Sequence, residues 1–149
     1  MSMPTSDQRS FALACAVAAF AVAIPAAAQE RAWTGRYRCA ALDGTRIGAI
    51  DQEMSATVNG SSFRFERQLG SVPGARATAG VETGSGTIGP DGRVEAKSAV
   101  VTTGWRYEGR FTGTATATEI RLTGVQHWQM SGGAQGGDRR CGITLAQTP

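Results

Sequence analysis

The sequence predicts an all-β chain, an antiparallel meander of eight or nine strands closed as a small barrel or folded as a sandwich. Three observations predict it. Residues 92–128 alternate side chains with a period of two through three successive segments, and none of the three carries a helical stripe. Glycine is abundant at 20 residues, which weakens helices and supplies turns, bulges and close backbone approaches. Two cysteines, Cys39 and Cys141, stand at matching inward places on the first and last strand-like segments, where a disulfide would join the two ends.

The chain is expected to begin with an export signal. Residues 11–24 form a small apolar run preceded by Arg9, and Pro25, Ala26, Ala27 and Ala28 supply the small residues a signal peptidase accepts. Removal of residues 1–28 would leave 29–149 as a single β-domain with a modest core. The run is shorter than the roughly 20 apolar residues a helix needs to cross a bilayer. Nothing later is apolar enough to anchor the chain, so a periplasmic or secreted protein with no integral membrane segment after cleavage is expected. Cys15 would leave with the signal, because a lipoprotein site there has too few apolar residues before it.

In order, residues 32–40 put Trp33, Gly35, Tyr37 and Cys39 on one face and Thr34, Arg36 and Arg38 on the other. Asp43, Gly44 and Thr45 make a turn, and 47–50 is a short apolar run without clear register. Residues 53–58 point Met54, Ala56 and Val58 inward, and Asn59-Gly60 reads as the central pair of a type I′ hairpin turn. The return strand, 62–69, aligns Phe63, Phe65, Arg67 and Leu69. Arg67 breaks the apolar pattern and is expected to mark a bulge or the open end of the sheet. Residues 72–79, with Pro73 and Gly74, read as a loop, and 83–88 as a glycine-rich strand. Pro90, Asp91 and Gly92 turn the chain into the central unit. There Val94, Ala96, Ser98 and Val100 share one face, then Trp105, Tyr107, Gly109 and Phe111, then Ile120 and Leu122. A glycine loop at 132–137 leads to the last strand, 139–145, in which Cys141, Ile143 and Leu145 point together.

Chemistry-bearing constellations are sparse. His127 is the single histidine, with no glycine-framed serine elbow and no company for a zinc site, so it reads as a strand-end side chain. Glu95, Glu108 and Glu119 share their faces with Lys97, Arg106, Arg110 and Arg121, which predicts cross-strand charge pairing rather than an acid–base pair. Residues 132–137 lack the helix and lysine of a phosphate loop, and Arg139 and Arg140, being adjacent, face opposite ways. The net charge of +3 demands no polyanion. Trp105, Tyr107 and Phe111 fall opposite Arg106 and Arg110, so no basic stacking platform forms and no nucleic-acid partner is expected. Catalytic residues, metals and cofactors are all expected to be absent.

The expectation is therefore a non-catalytic binding or inhibitory module for an unknown small molecule or periplasmic protein. Trp33, Tyr37, Trp105, Tyr107 and Trp128 are the candidate ligand contacts at a barrel mouth, unless they are core volume. A protein partner would instead use the loops at 72–79 or 132–137. The alternative is a structural, envelope-associated protein with a fully packed interior.

The stretch Trp33-Thr34-Gly35-Arg36-Tyr37-Arg38-Cys39, with Gly86-Thr87-Ile88, Asp91-Gly92-Arg93-Val94 and the strand at 105–113, resembles small uncharacterised secreted or periplasmic proteins of alphaproteobacteria. That resemblance spans most of residues 29–149 and implies no activity. The tryptophan–glycine opening is also similar to avidin-like barrels, and the early strand ending in Cys39 to lysozyme-inhibitor barrels. No biotin-contact residue or inhibitory loop of those families matches a position here, so the likeness implies the barrel alone.

Overall fold

Alternation of small or apolar residues with polar ones makes a strand that can bury one face, and eight such strands account for most of this chain. The computed structural model describes residues 30–69, 80–133 and 136–149. In order they form β1 (Arg31–Cys39), β2 (Ile50–Asn59), β3 (Ser62–Gln68), β4 (Val81–Ile88), β5 (Arg93–Val101), β6 (Trp105–Ala115), β7 (Glu119–Met130) and β8 (Gly137–Gln147). Each strand pairs antiparallel with the next, and β8 returns to β1, so the sheet closes as a barrel rather than splitting into a sandwich. Closure leaves no edge strand to protect. The expected signal segment at 1–28, Cys15 included, and the expected loop at 72–79 lie outside the described residues. Within the expected 132–137 loop, Ser131–Gly133 is a single 3-10 turn and Gly137 already belongs to β8.

The ends meet as the cysteines predict. Cys39 and Cys141 are directly opposite in the β1–β8 ladder, 4.0 Å apart at Cα, and are joined by a disulfide. Inward side chains form two apolar clusters. The larger gathers Trp33, Tyr37, Phe63, Phe65, Phe111 and the aliphatic residues of β7 and β8. The smaller packs Trp105, Tyr107 and Trp128 with Val100 and with Leu42 and Ile47. The last two come from the 40–49 connection, so the segment around the first turn folds over that end of the barrel, and the apolar run at 47–50 enters a strand only at Ile50. Its turn is fixed by Gly44 at φ 72° and by Thr45 Oγ1 donating to the Leu42 carbonyl at 2.7 Å.

Four local expectations are corrected. The β2–β3 hairpin has Gly60 and Ser61, not Asn59 and Gly60, as its two central residues, because Asn59 pairs with Ser62. Gly60 has φ 59° and no described non-glycine residue has positive φ, the sign pattern of a type II′ turn. Arg67 marks neither a bulge nor an open end: β3 stays in unbroken register with β4 from Ser62 to Gln68, with Arg67 directly opposite Glu82. The fourth strand begins at Val81, which brings Glu82 inside. Among the described residues, Glu119 is the central-strand glutamate that forms an ion pair, with Arg121 two positions along its own strand rather than across the sheet.

Candidate functional site

Every strand contributes one polar side chain to the barrel interior. Tyr37, Gln52, Arg67, Glu82, Ser98, Tyr107, Gln126 and Arg139, taken from β1 to β8 in turn, form a continuous hydrogen-bonded girdle between the two apolar clusters. Glu82, fully buried, is its hub. One carboxylate oxygen accepts from Arg67 Nε at 2.9 Å and Nη2 at 2.6 Å. The other accepts from Ser98 Oγ at 2.6 Å and Tyr37 OH at 3.3 Å. Arg67 also donates to Gln52 at 2.6 Å and to Tyr107 OH at 3.0 Å, and its guanidinium lies 4.5 Å from the Tyr37 ring centre. Gln126 links the two halves: its amide nitrogen donates to Tyr37 OH at 2.7 Å, while its oxygen accepts from Arg139 Nε at 2.7 Å and Trp128 Nε1 at 3.1 Å.

The electrostatics follow from this wiring. Burial pulls the Arg67 guanidinium down, but Glu82 together with Tyr107 and Tyr37 outweighs it and leaves Arg67 above the ordinary arginine range. Arg139 moves the other way, because burial dominates and its direct partners are the Gln126 oxygen, the Gly48 carbonyl and the face of Trp128. Both tyrosine hydroxyls are held well above their ordinary value, first by burial and then by the Glu82 charge. Arg67 and Glu82 cancel, so the interior keeps one net positive charge at Arg139, met by dipoles and an aromatic face.

The structure places all five aromatic candidates inside. Trp33, Tyr37, Trp105, Tyr107 and Trp128 are buried, with Trp105 stacked on Tyr107 at 5.9 Å and Tyr107 tilted against Trp128 at 4.6 Å. Trp33 Nε1 is the one buried side-chain polar atom without a partner among the described residues. His127 is exposed on β7, where Nδ1 meets Asp138 Oδ1 at 2.5 Å. No group of three or more potential metal ligands occurs among the described residues.

The girdle was missed as an assembly, although parity along the strands marks it. Gln52 is in step with Met54 and Ala56, Ser98 with Val94 and Ala96, Gln126 with Ile120 and Leu122, and Arg139 with Cys141 and Ile143. Arg139 and Arg140 do face opposite ways, the first buried and the second exposed.

Outside, the wall of β3 to β7 forms an open saddle bordering about 1590 Å³ of space. Two inward positions of this wall are glycines that leave no room for a side chain. A side chain at Gly84 would fall within the Phe65 ring, and one at Gly124 would meet the Arg110 carbonyl and the Phe111 ring. The Phe65 and Phe111 rings press against bare backbone at these two positions. Arg64, Glu66, Ser85, Lys97, Glu108 and Arg110 are among the outward side chains lining the depression. No family model, no curated protein and no solved structure matches the chain.

Proposed function

We propose that this chain is a non-catalytic exported binding module whose binding face is the outer saddle of β3 to β7, not the barrel axis. One observation carries the reading. The interior is already occupied by aromatic rings and by a girdle in which each polar group has a protein partner, whereas the saddle is open and lined by charged and hydroxyl side chains. A small-molecule site needs a concave space that buries its ligand. An extended partner needs an outward face several strands wide, and the saddle supplies one. The Cys39–Cys141 disulfide supports export, since such bonds persist in oxidising compartments. No helix among the described residues is long and apolar enough to cross a membrane.

Site-specific photocrosslinking in the producing cell tests the location. A benzophenone side chain at Ala99, exposed within the saddle, is expected to form a covalent adduct; one at Thr34, exposed on β1, is not. Equal labelling from both positions, or none from Ala99, overturns the reading. The packed interior also favours a second one, a structural envelope-associated protein without a small ligand, and an absence of adducts from either position is the outcome it expects.

A further inference from the structure

We infer that the saddle binds a linear acidic polysaccharide lying across the strands, an inference that rests on the outer-face reading above. The ladder registers put Arg64 opposite Ser85, Ser85 opposite Lys97, and Lys97 opposite Arg110. The same row continues through Val125 to Arg140. With strands about 4.8 Å apart, Arg64, Lys97 and Arg110 span about 14 Å, and Arg140 extends the row to about 24 Å. None of the four has a carboxylate within ion-pair distance among the described residues.

Such a row works against the fold's own stability. Lys97 and Arg110 are direct cross-strand neighbours, and like charges so placed repel. An anion laid along the row removes that repulsion.

The flanks define the shape of the occupant. Two residues along each strand, about 7 Å away, stand Glu66 beside Arg64, Glu95 beside Lys97 and Glu108 beside Arg110. Glu66 and Glu108 lie on one side of the basic row and Glu95 on the other, as their partners Thr83, Ala99 and Thr87 show. The favourable track is therefore one row wide. A duplex would press phosphates onto the flanking carboxylates. A single nucleic-acid strand would find no exposed ring on which to stack its bases, since Phe63, Phe65 and Phe111 are buried behind the wall. The remaining outward polar groups include hydroxyls at Ser85, Thr83, Thr112 and Thr123, which match the hydroxyls of a sugar chain. Carboxylates on a single glycan strand, separated by neutral hydroxylated rings, satisfy both the row and its borders.

Titration calorimetry of the purified protein with polygalacturonate tests this, with dextran, polyphosphate and single-stranded DNA as comparisons. Polygalacturonate is expected to bind, more weakly as salt is raised, while dextran does not and the other two polyanions bind at least about tenfold more weakly. The triple variant Arg64→Gln/Lys97→Gln/Arg110→Gln is expected to lose at least about tenfold in affinity while its melting temperature is unchanged or raised. A charge-matched control away from the saddle, Arg31→Gln/Arg38→Gln/Arg46→Gln, retains binding. Should the triple variant unfold, the reversal Lys97→Glu alone is expected to give the same loss. The inference is overturned by no binding of polygalacturonate, by equal or tighter binding of polyphosphate or DNA, or by an equal loss in the control. If Ala99 still crosslinks in cells after any of these results, the outer-face reading stands and this inference alone falls.

Discussion

Glu82 holds the interior together because, among the described residues, it is the single buried carboxylate in a barrel that also buries Arg67 and Arg139. Breaking a buried pair by neutralising one partner strands the other charge and typically costs about 3–5 kcal/mol. Glu82→Gln is therefore expected to lose about that much in denaturant unfolding, since it leaves two guanidinium groups inside without a counter-charge. Arg67→Gln should lose a comparable amount, and the double variant less than the sum, because the two share one interaction. Additive losses would mean that Glu82 acts through Ser98 and Tyr37 instead. The tyrosines give a second expectation. Their protons are held more tightly in the folded state than in the unfolded chain, where the value is about 10. The stability this brings is whole below about pH 10 and is lost as pH rises toward the folded values. Each tyrosine adds a slope of about 1.4 kcal/mol per pH unit there, so stability should be flat from about pH 7 to 9 and fall steeply above pH 10. Phenolate absorbance should rise together with unfolding; phenolate formation within the native protein at pH 10 would contradict the buried placement of both hydroxyls.

At the level of the strand, the inward glycines of the saddle wall are as constrained as any aromatic. Gly84→Ala sets a methyl group where the Phe65 ring lies, and overpacking of this kind costs about 1–3 kcal/mol. Replacing the ring in the same chain, Gly84→Ala/Phe65→Leu, should recover part of that loss in a double-mutant cycle; full additivity would show that the ring and the glycine do not share the space. The strands themselves were legible in the sequence because period-two alternation is a local signal, and Trp105, Tyr107 and Phe111 announced their face without help. The girdle was less legible. Arg67 looked like a defect because its partner Glu82 lies fifteen residues further along the chain, one position before the expected start of its strand. A buried charge is recognisable only once the opposing strand and its register are known. The basic row is hidden for the same reason, since Arg64, Lys97 and Arg110 are far apart in sequence and become neighbours only through four strands of pairing. The hairpin at Gly60 shows the limit at the smallest scale, where a shift of one residue changes the turn type while leaving both strands intact.

For the whole molecule, the decisive contact is the least local one. Seven of the ladders join strands adjacent in sequence, whereas β1 and β8 must find each other across the length of the domain, and the barrel has edges until they do. The disulfide spans 102 residues at that seam. A link of this length removes unfolded-chain entropy worth about 4.7 kcal/mol on the loop-closure model, a large share of the about 5–15 kcal/mol by which domains are usually stable. Cys39→Ala/Cys141→Ala is therefore expected to lower the denaturant midpoint strongly, and reduction of the native protein should do the same. A shift equivalent to less than about 1 kcal/mol would mean that the ladder of β1 and β8 closes the barrel unaided. The saddle belongs to β3 to β7, away from the seam. Under mild conditions where the disulfide-free variant is still folded, its crosslinking at Ala99 should match that of the parent protein. Loss of the adduct with retained β-structure would show that the curvature of the saddle is set by closure of the ring, not by the inward glycines and the rings of Phe65 and Phe111 pressed against them.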